Sequence, residues 1–93
     1  MNVTINSKVS WSNEQLSTEI DDRGVLMSVS KGKYYDLDPV ATDIWRRLAE
    51  PVLVAQLCKS LSREYNADIA AIERDVMTWL EQLHAENLIM VME

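Results

Sequence analysis

The chain has 93 residues, 47% of them hydrophobic, with 15 acidic residues against 9 basic ones and a net charge of −6. That length allows one domain (1–93) with one core and little room for a deep pocket, because domains commonly run to about 100–150 residues and short chains bury only roughly two-thirds of their extended surface. The negative balance argues against nucleic acid, since neutralisation of phosphates by Lys and Arg supplies most non-specific affinity.

The first half of the chain reads as strands. "VTINSKV" alternates Val3, Ile5 and, after a break, Val9, and is a short strand candidate. "LSTEI" (16–20) and "GVLMSVS" (24–30) carry more signal, with Val25, Met27 and Val29 on one face at period two. "DDRG" joins these two, and "SKGK" joins the second to "KYYDL" (33–37). Each connection carries a glycine where a tight antiparallel turn wants positive φ. The expectation is a three-stranded antiparallel meander over residues 16–37, with "KYYDL" as its third strand.

The period then becomes helical. Asp38-Pro39 is a strong helix start: Asp accepts amide hydrogens as N-cap, and Pro at the first helical position gives up no needed donor. Val40, Ile44, Trp45 and Leu48 share a face, and Pro51 ends the helix. A second helix, 52–65, spaces Val54, Leu57, Cys58, Leu61 and Tyr65 along one stripe until Asn66-Ala67-Asp68 breaks it. Asp68 caps a third and longest helix striped with Ile69, Ile72, Val76, Trp79, Leu80 and Leu83, and Asn87 can take the left-handed stop. "LIMV" closes the chain as a short strand or packed tail. The fold class is α+β, strands first and helices after.

Catalytic chemistry is hard to find. Cys58 lies on an apolar stripe, where a free thiol behaves as a small hydrophobe. His84 is the only histidine, near a helix C-terminus that favours a cation. One His and one Cys cannot supply the roughly four ligands of a structural zinc site. Glu14, Glu19, Asp21 and Asp22 flank a solvated turn, and Arg46-Arg47 sit where a helix end favours positive charge. There is no GxGxxG, P-loop or HExxH. The expectation is a non-enzyme without metal or cofactor. No stretch approaches the roughly 18 apolar residues of a membrane span, the polar N-terminus is no signal peptide, and a cytoplasmic monomer is expected.

The adjacent tyrosines ask for a purpose. A three-stranded meander has two edges with unpaired backbone groups, and "KYYDL" falls on one of them. Lys33 and Asp36 protect it only in part, while Tyr34 and Tyr35 point to opposite faces. One tyrosine in the core and one idle on the surface would explain the pair; an edge kept open for an added strand explains it better. The apolar stripe of the third helix is too wide for a small sheet and two short helices to cover, and surplus apolar surface beside an edge makes a groove. Val76 and Leu80 lie mid-stripe, while Asp75 and Trp79 lie on its margin.

The ordered set "GKYYDLDPVATDIWRRL" and "ERDVMTWLEQLHAENLIMV" resembles the PqqD-like family of RiPP recognition elements, small proteins that bind leader peptides of ribosomally made, post-translationally modified products. The likeness spans residues 16–91. It is greatest to the discrete recognition proteins of lasso-peptide pathways, whereas the PqqD of quinone-cofactor synthesis is expected to have a less aromatic strand than "KYYDLD". The resemblance implies a winged-helix-like fold and a precursor leader peptide added as a strand beside the third helix. It also implies partners among the leader peptidase and other maturation enzymes. Peptide-binding residues expected on this basis are Lys33, Tyr34, Tyr35, Asp36, Leu37, Asp75, Val76, Trp79, Leu80 and Leu83. DNA binding, the rival that a winged helix raises, is opposed by the net charge and the acidic third helix. The remaining alternative is a small regulatory or structural docking subunit without a defined peptide ligand.

Overall fold

Alternation gives way to helical spacing at Asp38, and the computed structural model, which describes residues 3–92, follows that switch. Its elements are β1 (Lys8–Trp11), β2 (Gln15–Ile20), β3 (Arg23–Ser28), β4 (Lys33–Asp36), α1 (Pro39–Arg47), β5 (Val52–Leu53), α2 (Val54–Glu64), α3 (Ile69–Ala85) and β6 (Ile89–Met92). The strands form two antiparallel sheets, ordered β2-β3-β4 and β5-β1-β6. The expected α+β meander followed by three helices is therefore present, with β4 as its third strand.

The turns differ in one detail from the sequence reading. Between β2 and β3 the positive φ values belong to Asp21 (52°) and Asp22 (66°), not to the glycine. Two successive left-handed residues make the hairpin turn whose twist matches its strands, and Asp tolerates that conformation. Gly24 serves close packing instead. A Cβ there would meet Leu37 Cδ1 at 3.0 Å, and its amide donates to Thr42 Oγ1 at 2.9 Å. Gly32, in the next turn, does take positive φ (63°).

Val25, Met27 and Val29 share the outer, partly open face of the meander, while Leu26 is 0% exposed in the core. The Asp38 side chain caps α1 by accepting from the Ala41 amide at 2.8 Å, and Asp68 caps α3 in the same way. Asn87 takes the left-handed conformation beyond α3 (φ 60°). The predicted second helix starts two residues late because Val52 and Leu53 pair with β1. β1 itself begins at Lys8, so only the end of "VTINSKV" is strand. It lies between β5 and β6, joining the two ends of the described chain.

The core gathers Leu26, Leu48, Leu57, Leu61 and Leu80 with the buried faces of the helices. Trp11 stacks on Trp45 with ring centroids 5.3 Å apart and donates from Nε1 to the Trp45 carbonyl at 2.8 Å. Two serines receive the bend after α3: Ser12 Oγ donates to Asn87 O at 2.6 Å and Ser28 Oγ to Glu86 O at 3.3 Å.

Leu80, 0% exposed at the centre of α3, tests this arrangement. Leu80→Ala removes buried methyl groups and leaves a cavity, so stability should fall by about 2–5 kcal/mol. Urea unfolding checks it through a lower midpoint at an unchanged slope; a loss under about 1 kcal/mol would place Leu80 outside the core.

Candidate functional site

Tyr34 and Tyr35 separate at β4, because neighbours on a strand face opposite ways. Cross-strand pairing sets Tyr35 beside the core residue Leu26 and Tyr34 beside Met27. Tyr35 is half-buried against the core, and Tyr34 is 73% exposed on the outer face. The Leu37 amide donates to the Gly24 carbonyl at 2.9 Å. By the two-residue repeat of an antiparallel ladder, Tyr35 and Lys33 also direct their backbone groups toward β3. Tyr34 and Asp36 therefore aim N–H and C=O outward, and β4 has no second neighbour among the described strands. This edge is open.

One carboxylate ties the β4 hairpin to α3. The Tyr35 hydroxyl donates to Glu86, the C-cap of α3. Lys31 Nζ lies 3.0 Å from the same carboxylate and Lys33 Nζ 3.8 Å. The tyrosine hydrogen bond, then that of Lys31, holds Glu86 below the ordinary carboxylate range, and the same tyrosine bond pushes Tyr35 up.

A cavity of about 440 Å³ lies at the far end of the strip between β4 and α3. Asp38, three residues beyond Tyr35 and so roughly 10 Å along an extended chain, stands at it with Asp75, Val76 and Trp79. Trp79 precedes Glu86 by seven residues, roughly 10.5 Å of helix. The two spans match. β4 and α3 thus run alongside in opposite directions, with the Glu86 clasp at one end and the cavity at the other.

Apolar residues of three helices make the cavity wall: Val40 and Ile44 from α1, Leu61 from α2, and Ile72, Val76 and Trp79 from α3. Tyr65, the C-cap of α2, completes it. Its hydroxyl donates to Asp43 Oδ2 at 2.7 Å, and Arg47 bridges Asp43 (3.1 Å) and Glu64 (2.6 Å) behind it. That network fixes the ring, and the Asp43 bond pushes the Tyr65 hydroxyl up. Two carboxylates, Asp38 and Asp75, belong to the same lining. The arrangement suits an apolar side chain with a polar or cationic flank. Cys58 stands apart in the core, where burial and then Glu73 push its thiol up to about 11, away from nucleophilic use.

The expected site residues fall into three groups. Asp75, Val76 and Trp79 line the cavity; Lys33, Tyr34, Tyr35 and Asp36 form β4. Leu37, Leu80 and Leu83 are buried in the core, so their side chains support the strip from behind and have no surface of their own to offer. Asp75 lies 3.5 Å from Arg74 Nε, with both side chains largely exposed. Val40, Ile44, Tyr65 and Ile72 line the cavity although the sequence reads them as core stripe. The available signal was the excess of apolar residues on all three stripes over what so small a core can cover.

The sequence model of the family described as Coenzyme PQQ synthesis protein D (PqqD) matches residues 23–89. The chain belongs to the PqqD family. The match runs from the start of β3 into β6 and takes in β4, Glu86 and every residue of the cavity. Among solved structures, the PqqD-family chain is similar to "TbiB1 in Complex with the TbiA(beta) Leader Peptide", at 31% identity and a TM-score of 0.79. The alignment covers 86% of this chain and 93% of that one. No curated protein matches the sequence. No helix among the described residues is long and apolar enough to cross a membrane.

The Glu86 clasp predicts an acid response. A carboxylate held below its ordinary value of 4.5 contributes stability that is complete above that value. The contribution is lost as pH falls through the lowered folded-state value. Urea midpoints of the native protein should therefore drop on going from pH 5 to pH 3 more steeply than those of Glu86→Gln. Parallel pH profiles for the two proteins would show that the clasp contributes nothing.

Proposed function

We propose that this PqqD-family protein is a non-catalytic leader-peptide recognition element of RiPP biosynthesis, most similar to the discrete type of lasso-peptide pathways. It binds the leader of a ribosomal precursor and presents it to a peptidase and cyclase, acting as a cytoplasmic, single-domain monomer. The leader adds as an antiparallel strand to the free edge of β4, near Lys33–Leu37, and places an apolar anchor in the cavity beside Asp75, Val76 and Trp79. The observation that carries this reading is the continuity of an unpaired strand edge with an apolar cavity. Similarity to TbiB1, a protein solved with a leader peptide, supports it.

The energetics assign each part its task. Ordering a peptide residue costs roughly 1–2 kcal/mol, while each net strand hydrogen bond returns about 0.5–1.5 kcal/mol. Strand pairing therefore fixes register and direction with little net affinity. The surplus comes from one or two buried anchors at about 1.5–3 kcal/mol each. Dissociation constants from micromolar down to tens of nanomolar, about −8 to −10 kcal/mol, follow.

Calorimetric titration with the leader of the precursor encoded beside this chain's gene tests the reading, and binding in that range is expected. Tyr34→Ala should weaken it about tenfold, near 1.4 kcal/mol, with melting unchanged because the ring is exposed. Val40→Glu puts a charge on the cavity wall at a position where the α1 dipole favours an acid, so it should fold and bind at least tenfold more weakly. Incubated alone with the full precursor, the protein should leave its mass unchanged. Absence of leader binding, or cleavage by the purified protein, would overturn the proposal.

A further inference from the structure

The strip between β4 and α3 is apolar in one place and charged in two. At the clasp end stand Lys31 and Lys33, with Glu86 between them. Glu86 is already engaged by the Tyr35 hydroxyl and by Lys31, and Lys31 also donates to the Ala85 carbonyl at 3.2 Å. Lys33, with 63% of its side chain exposed, is held only at 3.8 Å, so its ammonium is the available charge there. At the cavity end stand Asp38 and Asp75. Asp38 spends one oxygen on the α1 cap and keeps the other. Two cations lie near them and offset them in part: Arg23 donates to the Leu37 carbonyl at 3.2 Å, and Arg74 meets Asp75 at 3.5 Å in open solvent, where such a pair is weak. The strip has a positive end and a negative end.

An antiparallel partner of β4 must run from the Asp36 end toward the Lys33 end. Its N-terminal part lies at the cavity and its C-terminal part at the clasp. Resting on the leader-peptide reading above, we infer that the strip reads charge order as well as shape. The peptide it takes carries Lys or Arg beside its apolar anchor, and Asp or Glu about five residues later, the span from Asp38 back to Lys33 along extended chain. The reverse order sets like charges against each other at both ends. Each exposed pair is worth little alone, so the effect is discrimination between peptides more than raw affinity.

Selection of a displayed library of random 12-residue peptides on the native protein tests this, keeping only binders that the uncharged wall variant Val40→Gln weakens and that therefore occupy the cavity. Enriched sequences should show a base next to an aromatic or aliphatic residue and an acid about five positions on. A synthetic member of that set should bind about tenfold more tightly than its charge-swapped counterpart at low ionic strength. The gap should close at 1 M salt, where the screening length is about 3 Å. Selection on Lys33→Glu should enrich a base at the C-terminal position instead; if that variant fails to fold, Lys33→Gln should lose the preference there. Cavity-dependent binders with random charge order, or equal affinity of the swapped pair, would overturn the inference and leave leader recognition standing. Failure to enrich any cavity-dependent peptide would overturn both.

Discussion

Gly24 has no side chain, and the position of α1 depends on that absence. Its amide donates to Thr42 Oγ1, its carbonyl accepts from Leu37, and a Cβ would crowd Leu37. These contacts hold the first turn of α1 against β3 immediately after β4 ends. Asp38 must then cap the helix at the very point where the strand edge stops. The edge and the cavity become neighbours because strand and helix are joined by two residues, Leu37 and Asp38, that are both pinned. A looser junction would leave an edge and a hydrophobic hollow with no fixed relation, and an extended ligand could not use both.

The hollow exists because a small protein has more apolar surface than its core can hide. α1, α2 and α3 each bury the centre of a stripe and leave its margin exposed: Val40, Tyr65 and Trp79 stand around one space instead of closing it. Closure would need larger side chains or a tighter approach of the three helices. Polar contacts position the parts around it. Arg47, Asp43 and Glu64 lock Tyr65 at the wall, and Glu86 draws the β4 hairpin to the end of α3. Both networks are partly buried at their centres, Arg47 at 25% and Glu86 at 24% side-chain exposure, with partners that reach solvent. Their contribution is positional: one orients a ring of the cavity wall, the other the β4 hairpin.

The proposed role of the site is recognition. Apolar walls, two carboxylates and an unpaired backbone edge can bind and orient a chain. The polar side chains around them are acids and bases already paired or exposed to solvent, and the thiol of Cys58 is masked by burial. The chain's PqqD-family membership and its likeness to TbiB1, a protein solved with a leader peptide, support that proposal.

The sequence by itself determined the meander, the Asp38-Pro39 and Asp68 caps, the breaks at Asn66 and Asn87, and the open third strand. Each of these rests on local chemistry within a few residues: alternation, capping, left-handed tolerance. It also determined the family, because ordered motifs survive where single residues say little. The β5-β1-β6 sheet was not legible, since the two residues of β5 carry no period and the pairing of β1 with β6 joins opposite ends of the described chain. Nor was the role of Gly24, which lies in what approaches it. Whether an apolar stripe residue is core or cavity wall was likewise decided by tertiary packing. Leu80 and Trp79 are adjacent and alike in hydrophobicity, yet one is enclosed and the other lines the cavity, because only the arrangement of three helices decides where their surfaces meet and where they leave a gap.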